Sequence, residues 1–178
     1  MTATTLIILL AALLAVAFFG YRNASNRAQQ ARRLAANRDK PAVTADFSTP
    51  EGAILMLERA FRQRDLEAAV LAKDFRTEAE LELASSGAAR RASDSDIAAR
   101  AAELEQKFRS MMQSSWPDFS DVESHFVDRE SYAPPVGLAS ARNLAVVTEV
   151  NRFRQGGYSE HRILVAEGAQ GWRVLNPL

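Results

Sequence analysis

The chain contains no cysteine. That absence excludes disulfides, cysteine zinc sites, thiol catalysis and a lipobox cysteine, and it leaves the compartment unspecified. Histidine is almost as scarce: only His125 and His161 occur in 178 residues. Two histidines without supporting spacing do not form a metal-ligand set, so no metal or other cofactor is expected. Net charge is also missing, with 22 basic and 22 acidic side chains. The balance hides a split, because residues 1–40 carry a net of +5 and residues 41–178 a net of −5. An acidic domain on a basic tether is not a nucleic-acid binder.

The first forty residues carry the clearest signal. Thr2 to Tyr21 holds no charged side chain, and Leu6 to Phe19 is almost wholly hydrocarbon. A bilayer core is spanned by about 20 helical residues, so residues 1–21 are long enough for a transmembrane anchor. A cleaved signal peptide has positive charge ahead of its apolar run, and Met1–Thr5 has none in its side chains. Arg22, Arg27, Arg32 and Arg33 follow the run directly. Basic residues there hold that end in the cytoplasm. The expected topology is a single uncleaved span in the lipid bilayer, N-terminus out and C-terminal domain cytoplasmic. Alanine and arginine richness points to a bacterial source, hence an inner membrane. Residues 22–47 read as a basic juxtamembrane segment and linker, which Pro41 helps to terminate.

Residues 48–178 have the length of one domain with its own core. Thr49-Pro50-Glu51 is a helix start, with an N-cap hydroxyl, proline at the first helical position and an acid in the first turn. Ile54, Leu57 and Phe61 continue it at helical spacing. Asp65 caps a short second helix through Leu66, Ala69 and Val70. Arg76 to Leu83 alternates like a strand, but its Glu, Ala and Leu prefer helix, and helix is the expectation. Asp94, Ser95 or Asp96 caps the next helix, where Ile97, Ala101, Leu104, Phe108 and Met111 form an apolar stripe. Trp116-Pro117 stops it. Beyond Val122 the period changes to that of strands, over 122–131, 143–154, 158–166 and 172–175, with Gln155-Gly156-Gly157 as a hairpin turn. The expected class is α+β, with three helices packed on one face of a four-strand antiparallel sheet.

These residues resemble the NTF2-like superfamily. The resemblance rests on Thr49-Pro50-Glu51-Gly52-Ala53 opening the first helix and on Arg64-Asp65-Leu66-Glu67-Ala68-Ala69 in the second. It continues with Lys73-Asp74-Phe75, the later hairpin, and the final strand Gly171-Trp172-Arg173-Val174-Leu175. It covers most of residues 48–178 and is carried by order and spacing rather than by one motif. It implies a curved sheet wrapped around a long helix, with a pocket at the open end of the cone. Members of the superfamily include isomerases, dehydratases, ligand binders and non-catalytic partner modules, so fold alone does not assign an activity. The isomerases place a tyrosine in the early helix, and this chain has none between Tyr21 and Tyr132. The dehydratase-like members use a histidine–aspartate pair, for which only His125 and His161 are available.

No catalytic constellation stands out. His125 and His161 are the only side chains whose ordinary titration lies near neutrality. Trp116, Phe119 and Phe126 gather near the helix-to-sheet crossover, as lining for a pocket mouth, a partner surface or plain core. Glu149 shares a face of its strand with Ala145, Val147 and Phe153, and whether Trp116, His125 and Glu149 point into a closed cavity or onto an open face separates a pocket from a partner surface. The acids Glu78, Glu80 and Glu82 read as a solvated face, and Arg142, Arg152 and Arg154 face carboxylates such as Glu149 and Glu160, as cross-strand partners or as an anion-binding face. The sequence thus favours a membrane-tethered, non-enzymatic interaction module with a protein partner or a second copy of itself. The alternative is a small-molecule binder or a lyase or isomerase using the cone pocket.

Overall fold

The computed structural model describes residues 28–35, 42–85, 93–133 and 143–177. The apolar run 1–21, with Arg22 and Arg27, lies outside them. Among the described residues no helix is long and apolar enough to cross a membrane. The chain divides into two units, Met1–Asp39 and Lys40–Leu178. In the first, residues 28–35 form helix α1, which carries Arg32 and Arg33.

The second unit is α+β. It contains α2 (Pro50–Gln63), α3 (Leu66–Leu71), α4 (Phe75–Ser85) and α5 (Asp94–Ser114), then β1 (Val122–Ser131), β2 (Leu144–Phe153), β3 (Tyr158–Gly168) and β4 (Gly171–Pro177). The expected count of three helices is therefore corrected to four. The strands form one antiparallel sheet in the order β1-β2-β3-β4, the simplest meander. The short connections after β2 and β3 bring neighbouring sequence together, so the register of β2 with β3 and of β3 with β4 follows from those turns. Register shifts between Phe126 and Asp128 and between Ile163 and Val165 bend the strands locally.

Local chemistry explains the helix ends. Thr49 accepts a hydrogen bond from the Gly52 amide, and Asp65 accepts one from Ala68. The cap of α5 is Ser93, one residue before the expected candidates. Its hydroxyl accepts from the Asp96 amide while the Asp96 carboxylate accepts from the Ser93 amide, a reciprocal capping box. The stripe of α5 holds at Ile97 and Leu104 but ends on Met112, which is buried, while Met111 is 53% exposed. About four helical turns from Ile97 fall between these two methionines, and sequence alone does not separate them.

Both faces of the sheet are packed, which corrects the expectation of helices on one face only. On one face Ala145, Val147, Ile163, Val165 and Val174 meet Ala53 and Ile54 of α2. On the other, Leu144, Val146, Leu164, Ala166 and Leu175 meet Leu81 of α4 and Tyr132. This is why β2 is buried continuously from Leu144 to Asn151 rather than alternately. Segment 72–74 adds to the outer edge of β4: Val174 N donates to the Ala72 carbonyl, and Asp74 N to the Val174 carbonyl. Residues 44–47, read from sequence as linker, dock on the same strand. Trp172 N donates to the Phe47 carbonyl at 2.8 Å, and the Arg173 guanidinium lies over the Phe47 ring at 3.7 Å.

Candidate functional site

The chemically unusual place is the α2-facing side of the sheet, where polar side chains interrupt the core. Alternation along β2 points Ala145, Val147, Glu149 and Asn151 to that face. The stripe of α2 sends Glu58 to meet them, one turn beyond Ile54. Both carboxyls are buried, each residue 3% exposed. Ser124, paired with Asn151 across β1 and β2, completes the group.

The contacts link all four residues. The Ser124 hydroxyl lies 2.5 Å from Glu58 Oε1 and 3.0 Å from Asn151 Oδ1. Asn151 Nδ2 donates to Glu149 Oε2 at 3.1 Å. Arg62, one turn along α2, donates from Nη2 to Glu58 Oε2 at 2.9 Å. The same guanidinium reaches the carbonyl of Phe119 at 3.4 Å and that of Val122 at 3.5 Å, and it sits over the Phe119 ring. Arg62 thus ties the carboxyl group to the crossover that leads from α5 into β1. Burial first, and then the neighbouring Glu58 carboxyl, push the Glu149 carboxyl up to about 8, against the nearby Ser124 hydroxyl and the Asn151 amide, which pull it down. Glu149 Oε1 is buried and, among the described residues, has no hydrogen-bond donor.

Aromatic residues flank the site. Phe61 lies 6.4 Å from Trp116 and 5.7 Å from Phe119, centroid to centroid. Two of the sequence-named aromatics therefore share a cluster with α2. Phe126 packs against the apolar cluster of that same sheet face. The histidines are elsewhere. His125 pairs with Val150, so it points to the opposite face from Glu149, where its Nε2 lies 3.4 Å from Glu123. His161 stands opposite Glu149 on β3 but is exposed and bonded to Ser159 at 2.9 Å. The structure brings Glu149 near the aromatics and neither histidine onto the carboxyl pair.

Two expectations for charged side chains are corrected. Glu78 and Glu80 are buried rather than solvated. Glu78 holds the buried Lys73 ammonium at 3.0 Å, Glu80 pairs with Arg76 at 3.4 Å, and Glu82 pairs with Arg100 at 2.7 Å. The reason is that α4 is packed between β4 and α5, so two of its sides meet protein. Arg152 pairs with Glu123 at 3.6 Å and Arg154 with Asp121 at 3.8 Å, rather than with Glu149. Glu149 is unreachable because it lies on the other face from Arg152.

Glu58, Ser124 and Asn151 escaped the sequence reading. Their signal was present: Glu58 falls within the stripe of Ile54, Leu57 and Phe61, and Asn151 continues the inward alternation of β2. Each is a polar residue in an apolar phase. Among the described residues no group of His, Asp and Glu gathers to hold a metal ion. Two surface depressions, lined by Ser120–Glu123 with Arg152 and Arg154 and by Ser48–Pro50 with Arg129–Tyr132, include neither Glu58 nor Glu149.

No known relative decides the matter. No family model, curated protein or solved structure matches this chain. The case for function therefore rests on these residues and their arrangement.

Proposed function

We propose that this protein is a membrane-tethered, non-enzymatic interaction module of NTF2-like type. In this reading the apolar N-terminus anchors it in a bacterial inner membrane, N-terminus out, and the α+β unit works at the cytoplasmic face. The observation that carries the proposal is the sheet face turned away from α2. Beyond Leu81 that face presents exposed charges of both signs, Glu123 beside Arg152 and Glu130 paired with Arg162, with His125 between them. A ladder of alternating charge suits a protein surface of complementary pattern, either a partner or a second copy, and sets its register. The α2-facing side supports the same reading, because its polar group is engaged with itself and with Arg62.

The test is crosslinking and recovery of the full chain from native membranes. A stoichiometric partner or a self-crosslink is expected, with recovery falling about tenfold in Arg152→Glu/Arg162→Glu. Recovery of the protein alone would sink the module. Recovery indifferent to the double substitution would sink the sheet face as its surface. A topology reporter fused at Leu178 is expected to read cytoplasmic, and a periplasmic signal would overturn the orientation. The second reading, a small-ligand or lyase/isomerase site, is favoured by one observation, the buried Glu58–Glu149 pair beside Phe61. A ligand panel that raises the melting temperature of the wild type but not of Glu149→Gln would transfer the weight to it.

A further inference from the structure

The group around Glu149 has too few hydrogen-bond donors. Ser124 has one hydroxyl proton for two acceptors, Glu58 Oε1 and Asn151 Oδ1. Asn151 serves Glu149 Oε2 and Arg62 serves Glu58 Oε2, which leaves Glu149 Oε1 buried without a donor among the described residues. With both carboxyls ionised, an unserved oxygen and two like charges would share a dry site, a costly arrangement. One added proton removes both faults. It neutralises one charge and becomes the donor of a carboxyl–carboxylate hydrogen bond between Glu149 and Glu58.

We infer that Glu58 and Glu149 form a proton-binding site, in which one shared proton latches the last turn of α2 and the crossover held by Arg62 onto the sheet. The charged and titratable groups facing the pair are few. On α2 there is Arg62, bonded to Glu58. On β3 there is His161, the register partner of Glu149, turned outward to Ser159. On β1 the side chains beside the pair, Ser124 and Phe126, carry no charge, and Arg129, farther along the same face, is paired with Glu51 of α2 at 3.4 Å. Arg62 is already spent on Glu58 and on the carbonyls of Phe119 and Val122, so the second carboxyl takes its counter-charge from a proton. The sign of the pH effect follows from the folded state holding this proton more tightly than the unfolded chain. Stability is full below the ordinary glutamate range. It is lost progressively as pH rises from the ordinary glutamate value of 4.5 to about 8, where the folded state also releases the proton.

The test is a carboxyl carbon-13 titration of the full chain labelled at glutamate, together with urea unfolding between pH 5 and 9. One glutamate resonance is expected to titrate near 8, far from the rest. The unfolding constant should rise with pH by up to about tenfold per unit, the limit for one proton. Glu149→Gln, which keeps a neutral donor in place, is expected to abolish that resonance and flatten the slope. If every glutamate titrates in the ordinary range, about 4–5, the site does not exist. If Glu149→Gln retains the full slope, the proton sits elsewhere. Should that variant not fold, the wild-type titration decides alone.

Discussion

Replacing Glu78 by alanine is expected to cost the domain about 3–4 kcal/mol in urea unfolding, more than most single substitutions. Lys73 and Glu78 are both buried, and the ammonium lies 3.0 Å from Glu78 Oε2. Lys73 also sits over the rings of Phe75 and Phe108, at 5.7 and 6.0 Å. Its ionisation is pulled below the ordinary lysine value by burial, and Glu78 is the foremost influence holding it up. Removing Glu78 therefore leaves a desolvated cation with its main counter-charge gone, whereas removing both charges does not. Lys73→Met/Glu78→Leu is expected to lose much less than Glu78→Ala alone, since a buried ion pair is replaced by apolar packing. A double variant as unstable as the single one would show that the damage comes from lost packing. The position matters because Lys73 lies in the segment that pairs with the edge of β4, so this ion pair joins α4 to the sheet.

Gly171→Ala is expected to destabilise by about 3 kcal/mol, and the mechanism can be isolated. Gly171 has φ +91°, and a Cβ there would stand 2.2 Å from the Phe47 carbonyl oxygen. That carbonyl accepts the Trp172 amide, so the clash also pushes away the docked segment before α2. Gly156 has nearly the same backbone, φ +88°, with nothing within 4 Å of the added carbon. Gly156→Ala should therefore show the conformational strain alone, about 1 kcal/mol. Equal losses at the two positions, measured by urea unfolding, would remove the steric contact with Phe47 from the explanation. A larger loss at Gly171, with faster proteolysis near Phe47, would establish that residues 44–48 belong to the folded unit.

Much of the architecture was legible because it is written in short-range periodicity. The bounds of β1, Val122–Ser131, match the span expected from sequence, and the end of α5 before Trp116-Pro117 follows from proline chemistry. The start of α2 is legible for the same reason, since Thr49, Pro50 and Glu51 act within one turn. Glu149 could be singled out because it falls in phase with Ala145 and Val147. Its partner could not, since Glu58 lies 91 positions earlier in the chain and only the packing of α2 on β2 joins them.

Local sequence thus determined the order of elements, the antiparallel meander and the placement of an uncharged apolar run before a basic collar. Those are consequences of hydrophobic spacing, capping and charge, all of which act over a few residues. Tertiary structure alone decided which acids were buried. A glutamate in a helix has the same local preference whether it faces water or Lys73. Its environment is set by what packs opposite, and so is its proton.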